Sequence, residues 1–438
     1  VGSFALPVVE AWIRVGRGAG EMARARLLDD PPDRFAESYW REHAAHIALA
    51  TGDAAAAAPI YRALLEGDEG RNHRVRLALA EALVATGADT EAITVLGGAT
   101  PHPEIRRGTQ RLTAGDDIDF APRGPREGMA TLLVRMSADL SRERSVPVAL
   151  AFSRIATWLD PDDASGWLLT AQLLARAEQY DGALTAAKAV GVDDPLAGYA
   201  RAQEAGLLRE LGREDEALTM LETAATAPGA RVEDHLQLGD AYQNAERFDD
   251  AIVAYRRALE TPEMAEQAGW QVHFLIGAAQ EQKGDWQAAE RALRRSLEIA
   301  PEEAITLNYL GYTLLDRGMK QDEAIALIEQ AHELRPTDGH ITDSLGWAQY
   351  RLGDYDTAVD TLEQAVSSVP DDATINDHLG DAYWQVGRRI EARFRWRAAL
   401  DAEPSDEQRM EIVQKLDYGL DRVEAARELA RAGVTPTS

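Results

Sequence analysis

The chain has 438 residues, more than one hydrophobic core usually holds, so it either divides into globular domains or stacks small repeats. Asp and Glu number 74 against 46 Lys and Arg, and the formal net charge of -28 argues strongly against nucleic acid or an anionic membrane as the partner. Cysteine is absent from the sequence, which excludes disulfides, iron–sulfur clusters and thiol catalysis.

The N-terminal part of the chain predicts a divergent helical arm over residues 4–107. Residues 4–30 have the apolar spacing of a leading helix pair. Two irregular two-helix units follow, each with a glycine ahead of the small and bulky residues of a second helix. Their markers are Gly52, Ala57 and Tyr61 in one unit and Gly87, Ala92 and Leu96 in the next.

The helical pattern fails near residues 115–128, which read GDDIDFAPRGPREG. We predict an irregular loop over residues 108–128, which separates the arm from a regular array over residues 129–404. Asp116, Asp117 and Asp119 could bind calcium in this loop, but the ligand pattern of an EF-hand is absent. A solvated acidic turn is therefore the favoured interpretation.

The regular array is marked by an alanine that returns about every 34 residues. The intervals are 34 residues, except for one of 38 before Ala289 and one of 35 after it. The alanines are Ala149, Ala183, Ala217, Ala251, Ala289, Ala324, Ala358 and Ala392. A period of this length predicts a stack of two-helix units, because one helix pair cannot bury its apolar face alone.

Several units of the array also place a Leu-Gly pair in their first helix, as at Leu238-Gly239, Leu345-Gly346 and Leu379-Gly380. Glycine lets the second helix approach closely, and the marker alanine fits opposite it. This order of residues is typical of the tetratricopeptide repeat (TPR). We therefore predict an all-α fold, a right-handed TPR superhelix built as an α-solenoid of antiparallel helix pairs.

The segment after Pro404 predicts a capping element over residues 405–438. Ser405 is suited to begin a helix as its N-cap. This helix should cover the apolar end of the last repeat, and the terminal residues should form a loose tail.

The concave face of the last three repeats gives the candidate partner-binding site. Its positions combine aromatic and acidic side chains, which would suit a partner that carries Arg or Lys. The candidates are Asn308, Tyr312, Asp343, Trp347, Tyr350, Asp377, Asp381 and Trp384. The alternative is that the aromatic residues pack against the neighbouring repeat, because superhelical twist can bury such positions.

Catalytic motifs do not occur in the sequence: it has no Gly-rich phosphate loop, no G-x-S-x-G and no H-E-x-x-H. His43 and His46 lie one helical turn apart, but no third ligand follows at metal spacing. We therefore predict that the chain is not an enzyme and has no catalytic residue, no cofactor and no metal site. The expected partner is a protein or peptide.

Residues 307–404 carry a more specific resemblance in the stretches LGY, DSLGW, DHLGDAYW and GRRIEARFRW. They resemble a family of proteobacterial TPR proteins, the periplasmic or outer-membrane lipoprotein adaptors that bind carboxyl-terminal processing proteases. The resemblance implies an adaptor that recruits a periplasmic protease or another cell-envelope enzyme. The alternative function is self-assembly into an oligomeric frame.

The resemblance also implies a periplasmic or outer-membrane-anchored location. The chain begins with Val1-Gly2-Ser3, in which Gly-Ser is typical of cloning, so we expect that an export signal was removed. A cytoplasmic location remains an alternative. No run of 18 apolar residues occurs, so no transmembrane segment is predicted.

Overall fold

A computed structural model describes most of the chain as helix, and among the described residues there is no strand. The described residues are 2–29, 31–66, 72–97, 102–142, 145–228, 230–261, 264 and 269–431. The chain divides into two compact units, Val1–Leu238 and Gly239–Ser438. The all-α prediction is therefore confirmed. The predicted C-terminal tail lies outside the described residues from position 432 onwards.

The first fourteen helices begin in the N-terminal unit, and the last of them continues into the second unit. They are α1 (Gly2–Gly16), α2 (Gly20–Leu28), α3 (Arg34–Ala50), α4 (Ala54–Leu65), α5 (Asn72–Ala85), α6 (Asp89–Gly97), α7 (Pro103–Ala114), α8 (Pro125–Arg142), α9 (Val146–Leu159), α10 (Ala164–Arg176), α11 (Tyr180–Ala187), α12 (Ala197–Glu210), α13 (Glu214–Thr226) and α14 (Val232–Asn244).

The second unit continues with eleven further helices over the described residues. They are α15 (Phe248–Leu259), α16 (Trp270–Gln282), α17 (Trp286–Ile299), α18 (Ala304–Asp316), α19 (Gln321–Leu334), α20 (Gly339–Arg351), α21 (Tyr355–Ser368), α22 (Ala373–Gln385), α23 (Arg389–Asp401), α24 (Asp406–Tyr418) and α25 (Leu420–Arg431). No helix in the described part of the chain has both the length and the apolar composition of a membrane span.

The repeated packing follows the predicted arrangement of small residues. All eight marker alanines are buried, with at most 3% of each exposed. A Cβ atom added to Gly346 on α20 would lie 2.6 Å from Cγ of Leu362 on α21. A Cβ atom added to Gly239 would lie 2.3 Å from the ring of Tyr255, and one added to Gly380 would lie 2.4 Å from the ring of Trp396, each on the following helix. The glycine thus permits the contact on which each helix pair is built.

The predicted loop over residues 108–128 is shorter in the structure, where α7 ends at Ala114 and α8 begins at Pro125. Gly108 does not break α7. It packs on Leu77, whose Cδ2 atom would lie 3.1 Å from an added Cβ, so the glycine serves close packing inside a helix. Pro125 occupies the first position of α8, where proline is well tolerated. Both residues resemble loop formers in the sequence, although each belongs to a helix.

The same loop does not divide two cores, because α8 packs on the helices at the start of the chain. Trp12 of α1 is fully buried beside Gly128 of α8, and its indole N–H donates to Nδ1 of His43 at 3.1 Å. Leu132 and Met136 of α8 share this core. The predicted N-terminal arm is therefore joined to α8 through a common apolar cluster within the first unit.

Candidate functional site

The eight predicted site residues lie on α18, α20 and α22, the first helices of three successive pairs. Within each helix their spacing is three or four residues, which places them on one face. The structure gives these residues three different environments. Three of them line an open pocket, four are in contact with the C-terminal helices of the same chain, and Trp347 is stacked between two rings of the repeats.

The open pocket has a volume of about 410 Å³ and is lined by Asn308, Tyr312 and Asp343 among others. Three further carboxylates converge on it, together with the ring of Tyr309. The acidic lining residues are Glu281, Asp316, Asp343 and Asp372. The pocket is therefore acidic and partly aromatic, with walls supplied by successive repeats.

The lining residues differ in how far they are already engaged. Glu281 accepts from Arg317 at 2.7 Å, and the Asp343 carboxylate pairs with His378 at 3.0 Å. Asp316 is exposed, and Oδ1 of Asn308 is buried without a hydrogen-bond partner in the described structure. Asp316 and Asn308 thus offer acceptors to a group that enters the pocket.

The pKa of the Tyr312 hydroxyl is shifted by its surroundings in this pocket. Burial of the ring, followed by the negative charges of Asp343 and Asp316, raises the pKa of its hydroxyl to about 12. The hydroxyl therefore keeps its proton at neutral pH and can donate a hydrogen bond. A cationic group bound here would find carboxylates and an aromatic ring in one cavity.

The predicted acidic pair Asp377 and Asp381 already holds a cation from the same chain. Nζ of Lys415 on α24 lies 2.8 Å from Oδ2 of Asp377 and 2.8 Å from Oδ2 of Asp381. A third carboxylate, that of Glu411, lies at 3.1 Å, and Lys415 is only 1% exposed. The site predicted for a partner's basic group is occupied here by an internal lysine.

Electrostatics in this cluster follow from burial and from the crowding of like charges. Burial lowers the pKa of Lys415, but the charges of Asp381, Asp377 and Glu411 outweigh it, and the ammonium is held protonated. Burial and the neighbouring Asp381 raise the pKa of Asp377 to about 6, against the opposing effect of Lys415. The cluster thus depends on the ammonium for its charge balance.

The predicted aromatic residues Tyr350 and Trp384 are covered by α25. Gly419, at a φ of 84°, turns the chain after α24, and a Cβ there would lie 2.6 Å from Cζ2 of Trp384. The indole N–H of Trp384 donates to Asp421 at 3.0 Å, and the Tyr350 hydroxyl donates to Glu424 at 3.2 Å. A partner would have to displace α25 to reach either ring.

Trp347 lies between two rings of its own chain. It stacks on Tyr350 at a centroid distance of 4.7 Å and on His378 of the next repeat at 4.0 Å. These contacts are the ones expected from the alternative interpretation, in which the aromatic residues pack between repeats.

The pKa of His378 is set by two opposing effects. Burial lowers the pKa of His378, but the charge of Asp343 and the hydrogen bond to it outweigh burial, so that the pKa is raised.

Sequence reasoning missed the residues that cover Tyr350 and the acidic pair Asp377 and Asp381, although one of them carried a signal. Lys415 follows Asp381 by 34 residues, which is the repeat interval, so it occupies on α24 the position equivalent to that of Asp381 on α22. Asp421 and Glu424 follow no repeat pattern, because α25 starts directly after Gly419. Their contacts could not be found from periodicity.

Two clusters of histidine bear on metal binding. The pair that the sequence offered is engaged elsewhere: His43 accepts from Trp12, and Nδ1 of His46 lies 2.7 Å from the hydroxyl of Tyr61. Within the described residues, one group of three side chains has ligand atoms close enough to share an ion, namely His73, His102 and Glu104.

Comparison with known families matches several parts of the chain. Models described as "Tetratricopeptide repeat" match residues 48–102, 236–304 and 274–339, and one described as "TPR repeat" matches residues 346–387. A TPR repeat-containing protein of Pseudomonas aeruginosa is 33% identical over 156 residues, which are 35% of this chain and 26% of that protein. The protein O-mannosyl-transferase Tmtc1 of Drosophila melanogaster is 27% identical over 135 residues, 28% of this chain and 16% of that protein.

The chain thus spans about a quarter or less of the length of these two relatives. Among solved structures, yeast Tom70 is 12% identical at a TM-score of 0.47, with 98% of each chain covered. The Cut9–Hcn1 hetero-tetramer structure is 14% identical at a TM-score of 0.44, covering 95% of this chain and 84% of the other. A structure of MamA is 22% identical at 0.32, covering 43% and 96%. The helix pairs and the matched repeats together identify the fold as a tetratricopeptide-repeat solenoid.

Proposed function

We propose that the chain is a protein-interaction scaffold that binds a polypeptide in the groove of its C-terminal unit. The observation that supports this most directly is the acidic pocket beside Asn308 and Tyr312, which lies between successive repeats and has about 410 Å³ of space. That volume lies within the range of pockets that bind small ligands or side chains. Its carboxylates favour an Arg or Lys side chain as the anchor of the partner.

The internal contacts of the same face support a basic anchor. One repeat further on, Asp377 and Asp381 hold the ammonium group of Lys415 at 2.8 Å. This surface therefore holds a primary ammonium where the chain itself supplies one. At the open pocket, Asp316 is exposed and can take the equivalent role towards a partner.

The experiment is to capture partners from the native cells with the chain and to measure the affinity of each one. The double variant Asp316→Asn with Tyr312→Ala should weaken binding by at least about tenfold, because it removes one charged acceptor and one aromatic wall. The control is Asp360→Asn, which makes the same charge change on the exposed face of α21, outside the pocket lining. Equal affinities for both variants would remove the pocket from the binding site.

The finer role proposed from the resemblance over residues 307–404 is that of an adaptor for a periplasmic protease or another cell-envelope enzyme. The same resemblance is the basis for proposing a periplasmic or outer-membrane location. Fractionation of cells that express the natural gene product tests the location directly. Recovery in the cytoplasmic fraction would reject the adaptor role and leave the scaffold proposal in place.

A second candidate function, self-assembly, is favoured by exposed apolar residues near the C-terminal end. Ile390 and Phe394 on α23 are 84% and 63% exposed and lie one turn apart. Sedimentation velocity over a concentration series should show association that Phe394→Glu abolishes. Val253→Glu, at a residue that is 50% exposed on α15, is the matched control. A monomer at all concentrations would reject self-assembly.

A further inference from the structure

Three side chains of types that can bind a metal ion meet in the N-terminal unit. His73 lies at the start of α5, His102 is the N-cap of α7, and Glu104 lies in the first turn of α7. Nε2 of His73 is 3.6 Å from Oε2 of Glu104, and Nδ1 of His102 is 3.7 Å from the same oxygen. The two imidazole rings stack with centroids 4.1 Å apart.

Two atoms of this group are buried with unmet hydrogen-bonding capacity. Nδ1 of His102 and Oε2 of Glu104 have almost no solvent access, and neither has a hydrogen-bond partner among the described residues. Buried polar atoms in native proteins are normally paired, so such a cluster calls for an explanation. The two atoms lie 3.7 Å apart.

The charge of Arg74 acts on Glu104, but the ion pairs of the two nearby arginines are made with other carboxylates. Arg74 directs its guanidinium to Asp163 at 2.8 Å, and Arg106 pairs with Glu233 of α14. Each of these cations is thus bound to another carboxylate. Glu104 is left facing the two imidazoles.

The types of donor atom favour one kind of ion. Two imidazole nitrogens and one carboxylate oxygen form a three-ligand set that Zn²⁺ takes in open tetrahedral sites. Ligand atoms bound at about 2.1 Å in a tetrahedron are separated by roughly 3.4 Å. The distances of 3.6 and 3.7 Å to Glu104 need to contract by only a few tenths of an ångström. The two imidazole nitrogens lie within 4.8 Å of each other, so the stacked rings must also turn until both nitrogens face the ion.

We propose that His73, His102 and Glu104 bind one zinc ion, with water in the fourth coordination position. The ion joins the start of α5 to the start of α7, so that zinc stabilises the packing of these two helix ends. It also fixes the orientation of α7, from which Arg106 reaches Glu233. Zinc binding at these residues does not depend on the function proposed for the C-terminal unit.

The test begins with chelator-treated protein, which is titrated with ZnCl₂ by calorimetry and with Co²⁺ by visible absorption. We expect one ion per chain, the absorption bands of tetrahedral cobalt, and a higher midpoint of thermal unfolding with Zn²⁺ than without it. His73→Ala, His102→Ala and Glu104→Gln should each lower the affinity by at least about tenfold. His273→Ala removes a partly buried imidazole from outside the group and should leave binding unchanged.

Each variant is checked by circular dichroism, and only variants with the wild-type helical signal are compared. Glu104→Gln keeps the size of the side chain at its position in α7 and serves if either histidine variant fails to fold. Absence of bound Zn²⁺ in the wild type would overturn the proposal. So would zinc binding of equal stoichiometry and affinity in the three variants, because the ion would then lie on other residues.

Discussion

Replacing Lys415 by methionine removes the ammonium group from between Asp377, Asp381 and Glu411 while nearly conserving side-chain volume. Removal of one partner from a buried ion pair typically costs about 3–5 kcal/mol of unfolding free energy. Two features favour a loss at the lower end of this range. Asp381 keeps the indole N–H of Trp396 as a donor at 2.9 Å, and Asp377, with a pKa of about 6, can take up a proton. We therefore expect a loss of about 3 kcal/mol near neutral pH.

The loss should also depend on pH in a defined direction. Loss of the ammonium raises the pKa of Asp377 further above its unfolded value of 3.8. A group whose folded pKa is raised contributes stability below the unfolded pKa, and this contribution is lost as pH rises through the folded pKa. The destabilisation by Lys415→Met should therefore be larger at about pH 8 than at about pH 5.

The measurement must be local, because repeat arrays do not always unfold in one step. Hydrogen exchange of the α24 and α25 amides should accelerate in Lys415→Met, while exchange in α18 changes little. The matched control is Lys283→Met, whose exposed ion pair with Asp249 should contribute within about 0.5 kcal/mol. Unchanged exchange in α24 would refute the view that the buried lysine holds the C-terminal helices in place.

Two further predictions concern packing and protonation. Gly346→Ala should lower the unfolding free energy by about 1–3 kcal/mol in chemical denaturation, because its Cβ would lie 2.6 Å from Leu362. The control is Gly206→Ala, whose Cβ would have no atom within 4 Å, and it should raise the unfolding free energy by about 0.5–1 kcal/mol. Equal effects of the two substitutions would contradict the packing argument. The raised pKa of His378 stabilises the fold below its unfolded pKa, and this contribution is lost as pH rises through the folded value. Wild-type protein should therefore lose more stability than His378→Gln between about pH 6 and about pH 9, with unfolding by denaturant as the assay.

The periodic part of the fold could be predicted because its packing is local and recurs. Gly346 meets Leu362 only 16 positions later, within one helix pair, so each repeat contains its own packing information. The loop prediction over residues 108–128 failed at both ends for a physical reason. Gly108 and Pro125 are also tolerated in helices, where close packing or the first helical position suits them.

The occupants of the candidate sites were harder to predict because they come from distant positions. The acidic and aromatic face was visible in the sequence, but nothing in its period indicated that α25 would turn back over Trp384 at Gly419. His73 and His102 lie 29 residues apart and belong to no familiar ligand spacing. Their proximity results from the packing of α5 and α7, which only the folded chain reveals.

The polar pairs between neighbouring repeats give the C-terminal repeats a fixed order. Asp343 pairs with His378, and Asp381 pairs with Lys415, each about one repeat further along the chain. Apolar contacts such as Gly346 with Leu362 would be satisfied equally well if whole repeats were exchanged or duplicated. The buried charges would not, because each acid would face a different residue. A variant in which these repeats are exchanged should therefore keep its helical content but unfold less cooperatively. The last repeats are not interchangeable, because each one pairs with a specific neighbour.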